Sequence, residues 1–85
     1  MNNTIIFRFN NINKSSFFEV SFDQRLSFIE NFDLLKDIYP INITNFYIYD
    51  REMKAFLLKD IPLKEFSFSC FKELDLFLMP KTGLK

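Results

Sequence analysis

Residue types that perform covalent or metal chemistry are scarce in this chain. It contains no histidine and a single cysteine, Cys70. One thiol cannot form an internal disulfide, and without a histidine it lacks the usual Cys–His nucleophile pair. We expect Cys70 to be half-buried at the edge of the core. The single glycine, Gly83, does not supply a glycine-rich phosphate loop. We therefore predict a protein that is not an enzyme, with no catalytic residues, cofactor or metal site.

The composition predicts one small domain. The chain has 85 residues, nearly half of them hydrophobic, and 13 of them are phenylalanine. Because this length supports a single core, we assign one domain to residues 1–85, with an ordered core at 4–79 and a flexible tail at 80–85. Eleven basic and eleven acidic residues are well mixed. This argues against a nucleic-acid partner, since such proteins carry clustered Lys and Arg.

The same properties bear on location and association. No apolar run approaches the roughly 20 residues of a membrane span. The first residues also lack the basic region and apolar run of a signal peptide. We therefore expect a cytoplasmic protein without direct membrane insertion. Near-neutral charge and many aromatic residues also predict a weak homo-oligomer.

Apolar residues that alternate along the chain predict five strands, the first two of which form a hairpin. The apolar spacing is helical from Leu26 to Tyr39, and Pro40 ends that helix. Ser27 and Glu30 fit a capping box, which would start the helix late. A 3₁₀ turn is expected between Leu63 and Phe71. The predicted strands are Thr4–Asn10, Phe17–Phe22, Asn45–Tyr49, Lys54–Leu58 and Leu74–Met79.

The element order β-β-α-β-β-β predicts an α+β architecture, in which one helix packs across one face of a mixed sheet. Another α/β roll with the same hairpin–helix opening is the alternative. Near the end of the chain, the run Leu63-Lys64-Glu65-Phe66-Ser67-Phe68 precedes Glu73-Leu74-Asp75-Leu76-Phe77-Leu78. A leucine and an aromatic elbow there would plug the open end of the core, and the alternating leucines would line the helix side of the last strand.

With these two runs the chain resembles ubiquitin and its relatives, a β-grasp fold, from Thr4 to Met79. Among bacterial ubiquitin-like proteins it is similar in length and layout to the YukD/EsaB group, which are accessory proteins of Gram-positive type VII (ESX/WXG100-like) secretion systems. That resemblance implies a cytoplasmic adaptor without catalysis. Its protein partner would be a membrane component or ATPase of the secretion system.

The predicted sheet has one face toward the helix and one away from it. Phe46, Ile48, Leu74 and Leu76 are expected on the helix side. In ubiquitin the opposite, open face is the main binding surface, so the resemblance implies a partner-binding face here. Tyr47 and Phe77 are the predicted ring anchors, and Arg8 would add a hydrogen bond or ion pair at the rim. Open sheet faces also carry β-forming residues without any partner. The predicted outward residues are Ile6, Arg8, Tyr47, Tyr49, Asp75 and Phe77, with Phe17 and Phe71 as further exposed rings.

The C-terminal residues decide between the roles that ubiquitin-like proteins play. Conjugated modifiers and sulfur carriers resemble one another in ending in Gly-Gly, whereas this chain ends Lys81-Thr82-Gly83-Leu84-Lys85. We therefore favour a non-conjugated protein-interaction module. The alternatives are a modifier or sulfur carrier that acts through its C-terminus, and a phage- or plasmid-encoded ubiquitin-like inhibitor of a host protein.

Overall fold

The computed structural model describes residues 4–11, 16–66 and 74–81. In this part of the chain, five strands and one α-helix follow the predicted order β-β-α-β-β-β, and two 3₁₀ turns lie at Ile43–Asn45 and Leu63–Glu65. The predictions for Phe68, Cys70, Phe71, Gly83 and the Leu74 side chain lie outside the described residues. The elements are β1 (Thr4–Asn11), β2 (Ser16–Asp23), α1 (Phe28–Leu34), β3 (Phe46–Asp50), β4 (Ala55–Leu57) and β5 (Leu74–Pro80).

The five strands form a single mixed sheet in the order β2-β1-β5-β3-β4. Strands β1 and β5 are parallel, and the other neighbouring pairs are antiparallel. The last strand therefore lies in the middle, where it joins the N-terminal hairpin to the β3–β4 pair. This arrangement confirms the predicted α+β architecture.

Phenylalanine rings from β1, β2 and α1 make up the centre of the core. Five of them are fully or almost fully buried, and their contacting centroids lie 5.0–6.2 Å apart, mostly in tilted or edge-to-face geometry. Such pairs add about 0.5–1.5 kcal/mol each beyond the burial of their area. The abundance of phenylalanine thus serves the core first. The rings are Phe7, Phe9, Phe22, Phe28 and Phe32.

Helix α1 is shorter than the apolar spacing predicted. It begins at Ser27, where the predicted capping box forms: the Glu30 N–H donates to the Ser27 hydroxyl and the Ser27 N–H donates to the Glu30 carboxylate. It ends at Leu35, whose backbone leaves the helical region at φ −103° and ψ 13°. Residues 35–38 continue as turns, and the Tyr39 N–H donates to the Leu35 carbonyl. These turns keep a near-helical repeat, so the spacing alone did not reveal the end of the helix.

A buried amide, that of Asn31 in α1, joins the helix to the end of β2. Its Oδ1 accepts from the Asp23 N–H at 2.9 Å, and its Nδ2 donates to the carbonyls of Asp23 and Ser27 at 3.0 and 2.9 Å. A longer contact of 3.5 Å reaches the Leu26 carbonyl. The Asn31 side chain therefore supplies an acceptor for the Asp23 N–H. It also gives the Asp23 and Ser27 carbonyls a second donor, beside the backbone N–H groups of Leu26 and Asn31.

The turn between β3 and β4 depends on a carboxylate and on one strained residue. The buried Asp50 accepts from the Glu52 N–H at 2.9 Å and from the Met53 N–H at 3.4 Å. Lys54 follows with φ 55°, the one positive φ among the non-glycine residues that the structure describes. The left-handed region is costly for a residue with a Cβ.

The hydrogen bonds of Asn31 predict that a nearly isosteric substitution of this residue destabilises the fold. We expect Asn31→Leu to lower the free energy of unfolding by about 1–3 kcal/mol, because the Asp23 N–H loses its acceptor and the Asp23 and Ser27 carbonyls each lose a second donor. Urea unfolding followed by circular dichroism measures this loss. The control is Asn45→Leu, which removes the amide of an exposed asparagine. Equal losses in the two variants would contradict the role given to Asn31.

The φ of Lys54 predicts a stabilising substitution. We expect Lys54→Gly to raise the free energy of unfolding by about 0.5–1 kcal/mol, since glycine adopts positive φ without a steric penalty, although it adds entropy to the unfolded chain. Lys54→Ala is the control, because it removes the charge and retains the Cβ. A gain in Lys54→Ala as large as that in Lys54→Gly would assign the effect to charge instead of to backbone conformation.

Candidate functional site

Ile6, Arg8, Tyr47, Tyr49, Asp75 and Phe77, the residues predicted to face outward on the sheet, lie on the face away from the helix, whereas the predicted exposed ring of Phe71 lies outside the described residues. The strand register pairs Arg8 with Asp75 and Tyr49 with Phe77, and the residues between them, such as Phe9, Leu76 and Ile48, are buried on the other side. The outward residues nevertheless form two separate groups. One lies over β3, β4 and β5, and the other lies over β1, β2 and the start of β5.

The first group is a cluster of large apolar side chains, which we call the aromatic half: Tyr47, Tyr49, Phe56, Phe77 and Met79. The Phe56 ring lies between the two tyrosines, with centroids 5.5 Å from Tyr47 and 5.2 Å from Tyr49. Cross-strand register places Phe77 beside Tyr49 and Met79 beside Tyr47. The rings therefore support one another and need not rearrange to offer a continuous apolar surface.

Sequence reasoning missed two members of the aromatic half, Met79 and the more exposed Phe56. The Phe56 side chain is 58% exposed, yet it contacts both tyrosine rings. The residues Ala55-Phe56-Leu57-Leu58 are all apolar, so they give no alternation from which to decide which side chains face out. Phe56 could have been assigned to the outer face from its position opposite Tyr49 across the turn at residues 51–54. Residues opposite each other in an antiparallel pair share a face.

Two cations lie over the rings of the aromatic half. The Arg51 guanidinium carbon is 5.7 Å from the Phe77 centroid, and the Lys81 Nζ is 5.3 Å from the Tyr47 centroid. The Lys81 N–H also donates to the Asn45 carbonyl at 2.9 Å, which holds the chain after β5 beside β3. Both contacts fall within the range of cation–π attraction. The rim of this surface is therefore positive.

Lys59 is a third cation, and like Lys81 it lies near the first residues of β3. Its Nζ donates to the carbonyls of Phe46 and Ile43 at 2.7 and 3.2 Å. Partial burial, and secondarily the charge of Lys81, lower the pKa of Lys59. Its ammonium is thus engaged with the backbone at the entry to β3 and fixes the position of that strand.

The second group of outward residues is mostly engaged within the protein. The Arg8 guanidinium binds the Glu19 carboxylate at 3.1 Å, approaches Asp75 at 3.8 Å and lies 5.0 Å above the Phe17 ring. The Asn10 amide donates to the Asp75 carboxylate at 3.4 Å. Arg8 and Asp75, predicted as rim residues for a partner, therefore already bind groups of this chain. Among the residues that the structure describes, Ile6 and Phe17 are the exposed large apolar residues of this second group.

A groove of about 640 Å³ lies on the other side of the molecule, between α1 and residues 41–44. Its charged lining residues include Glu30, which belongs to the capping box, and Asp33 and Lys36, which pair with each other at 3.9 Å. These three charged side chains are thus engaged with other groups of the same chain. The aromatic half is therefore the stronger candidate site.

No protein-family model matches the sequence, and no curated protein does. Solved structures do match. The UBL domain of yeast Ddi1 has a TM-score of 0.70 at 12% identity, covering 100% of this chain and 98% of that one. The UBL domain of Plasmodium falciparum Dsk2 has a TM-score of 0.62 at 12% identity, covering 88% and 97%. A ubiquitin-like protein from Trypanosoma brucei has a TM-score of 0.61 at 17% identity, covering 96% and 100%.

These likenesses establish the fold. Each neighbour is matched over nearly its whole length, and the matched topology is the mixed five-stranded sheet with a helix across one face. Identities of 12–17% reach no further than the fold. The chain therefore has the ubiquitin-like β-grasp fold that its sequence predicted.

Within residues 4–11, 16–66 and 74–81, no helix has the length and apolar character needed to cross a bilayer.

The assignment of faces predicts different costs for two neighbouring residues of β5. Leu76 is completely buried and Phe77 is half-buried on the outer face. We expect Leu76→Ala to lower the free energy of unfolding by about 2–5 kcal/mol, and Phe77→Ala to lower it by about 1 kcal/mol or less, as for a surface substitution. Urea unfolding of both variants tests this. A loss in Phe77→Ala as large as that in Leu76→Ala would mean that the faces are assigned wrongly.

Proposed function

We propose that this protein is a non-covalent protein-interaction module that docks a partner on the aromatic half of its sheet. The observation that carries the proposal is the cluster of Tyr47, Tyr49 and Phe56, with Phe77 and Met79 beside it, on a face that no other described element covers. The likeness to domains described as UBL domains or ubiquitin-like proteins supports the same class of function. The proposed role requires no reaction by the domain.

The chemistry of this surface suits a protein partner. Tyrosine, phenylalanine and methionine are enriched in the centres of protein interfaces, where rigid rings bury much area for little loss of conformational entropy. The ring contacts of Phe56 with both tyrosines hold the cluster in place before binding. Arg51 and Lys81 supply donors at the rim, where charges steer association and favour one orientation of the partner.

The finer proposal is that the partner belongs to a type VII secretion apparatus, as a membrane component or ATPase. Its support is the resemblance of the sequence to the YukD/EsaB group in length and in the layout of its elements. A carrier or modifier role would instead use the C-terminal residues, and an inhibitor of a host protein would use the same sheet face on a different target. The identity of captured proteins separates these roles.

A pull-down with three baits, read by mass spectrometry, tests the proposal. The baits are the wild-type chain, the Tyr47→Ala/Phe77→Ala variant and the control Phe17→Ala, which removes a ring that is 59% exposed outside the aromatic half. We expect wild type and Phe17→Ala to retain the same partner and the double variant to lose it. Anchoring rings typically contribute about 2 kcal/mol or more, which corresponds to roughly a 30-fold weaker complex.

Two results would count against parts of this proposal. If all three baits recover the same proteins, the aromatic half is not the binding surface. If the double variant alone loses a partner that has no connection with secretion, the surface stands and the type VII role falls. Circular dichroism of each bait verifies that the substitutions leave the fold intact.

A further inference from the structure

Strand β2 is an open edge of the sheet. It is eight residues long, lies outermost in the strand order, and pairs with β1 in continuous register from Thr4–Asp23 to Asn11–Ser16 without a bulge. The other edge, β4, has three residues. Natural edge strands are usually shortened, bulged or blocked by proline or lysine, because free backbone groups recruit other strands. The sequence of β2, SFFEVSFD, contains neither proline nor lysine.

The contacts of Asp23 show which backbone groups point away from β1. Its N–H donates to the Asn31 side chain, and its carbonyl accepts from the Leu26 N–H and the Asn31 amide. Both groups of Asp23 therefore face away from β1. Along an antiparallel strand this orientation repeats at every second residue. Ser21, Glu19 and Phe17 thus direct their N–H and C=O groups outward, and none of the residues that the structure describes is a strand partner for them.

We propose that β2 pairs antiparallel with β2 of a second copy of this chain, so that the two sheets become one continuous sheet. The proposal stands on the edge alone and does not rest on the partner-binding role of the aromatic half. A second copy suits this edge because the chain has no net charge, so two copies are not held apart by overall repulsion. With a two-fold axis, the same outward N–H and C=O groups of β2 form the hydrogen bonds in both copies.

Charge disfavours one register of this pairing, the one centred on Glu19. A two-fold axis at Val20 places Glu19 of each copy opposite Ser21 of the other, and all four outward groups of these two residues find partners. An axis at Glu19 would instead place the two Glu19 side chains opposite each other, and like charges directly opposed across strands are destabilising.

The axis of such a dimer is perpendicular to the sheet. Both helices therefore lie on one side, and both aromatic halves face the other side. A dimeric partner, or a partner with two docking segments, would then bind two equivalent surfaces at once, which strengthens binding through effective concentration without new contacts. The edge strand and the aromatic half are separated by β1, so pairing leaves that half uncovered.

The first test is the oligomeric state across a concentration series, measured by sedimentation equilibrium. We expect the wild type to dimerise reversibly, Ser21→Ala to behave like it, and Ser21→Pro to remain monomeric. Proline removes an outward N–H that β1 does not use, whereas alanine removes only the hydroxyl group. A wild type that stays monomeric at every accessible concentration overturns the proposal. So does a folded Ser21→Pro variant that dimerises as strongly as Ser21→Ala.

Amide hydrogen exchange of the wild type tests the edge without relying on the proline variant. In the monomer at high dilution, we expect the N–H groups of Phe18, Val20 and Phe22 to be protected by β1 and those of Glu19 and Ser21 to exchange fast. At dimer-forming concentration, protection of Glu19 and Ser21 should rise at least 10-fold. Association without that rise would place the interface elsewhere. Slow exchange of both amides at every dilution would mean that another segment of the same chain covers the edge. Either result overturns the proposal.

Discussion

The arrangement of this domain depends on the side chain of Asn31. A buried amide is costly unless its donors and acceptor are all used, and here it binds both backbone groups of Asp23 as well as the Ser27 carbonyl. These bonds fix the end of β2 against the first turn of α1. They thereby bring Phe28 and Phe32 onto the rings of the N-terminal hairpin. The same bonds set which groups of β2 face β1 and which face outward.

A second constraint follows from the position of the helix. Because α1 covers one face of the sheet, every second residue of each strand goes to the core, and its neighbours must lie on the other face. In β1 and β2 those neighbours are mostly polar and bind one another, as Arg8 and Glu19 do. In β3, β4 and the part of β5 after Leu76 they are rings and a methionine. The outer face is therefore polar over one half and apolar over the other. No other element that the structure describes covers the apolar half.

Much of the fold was predictable because its strands alternate strictly. Ile5, Phe7 and Phe9 are buried, and the residues between them are not, as period two requires. The predicted helix extended too far, to Tyr39, because the turns after Leu35 retain the apolar spacing. Ile38 has that spacing but is 67% exposed, so it does not belong to a buried helical face. Phe56 was missed because its strand is too short to alternate. The mutual binding of Arg8 and Asp75 follows from β5 lying beside β1, a long-range pairing that local sequence does not encode.

The aromatic half and the edge of β2 offer different groups to a binding partner. The aromatic half offers side-chain area, so its selectivity comes from ring shape and from the cations Arg51 and Lys81. The edge of β2 offers backbone groups that any extended strand could use, so its selectivity must come from charge and register. Glu19 is the one charged residue in the middle of that edge, and its ion pair with Arg8 keeps its carboxylate on the outer face. A like-charged residue opposite it is disfavoured, whereas a serine is not, and this asymmetry disfavours the register centred on Glu19.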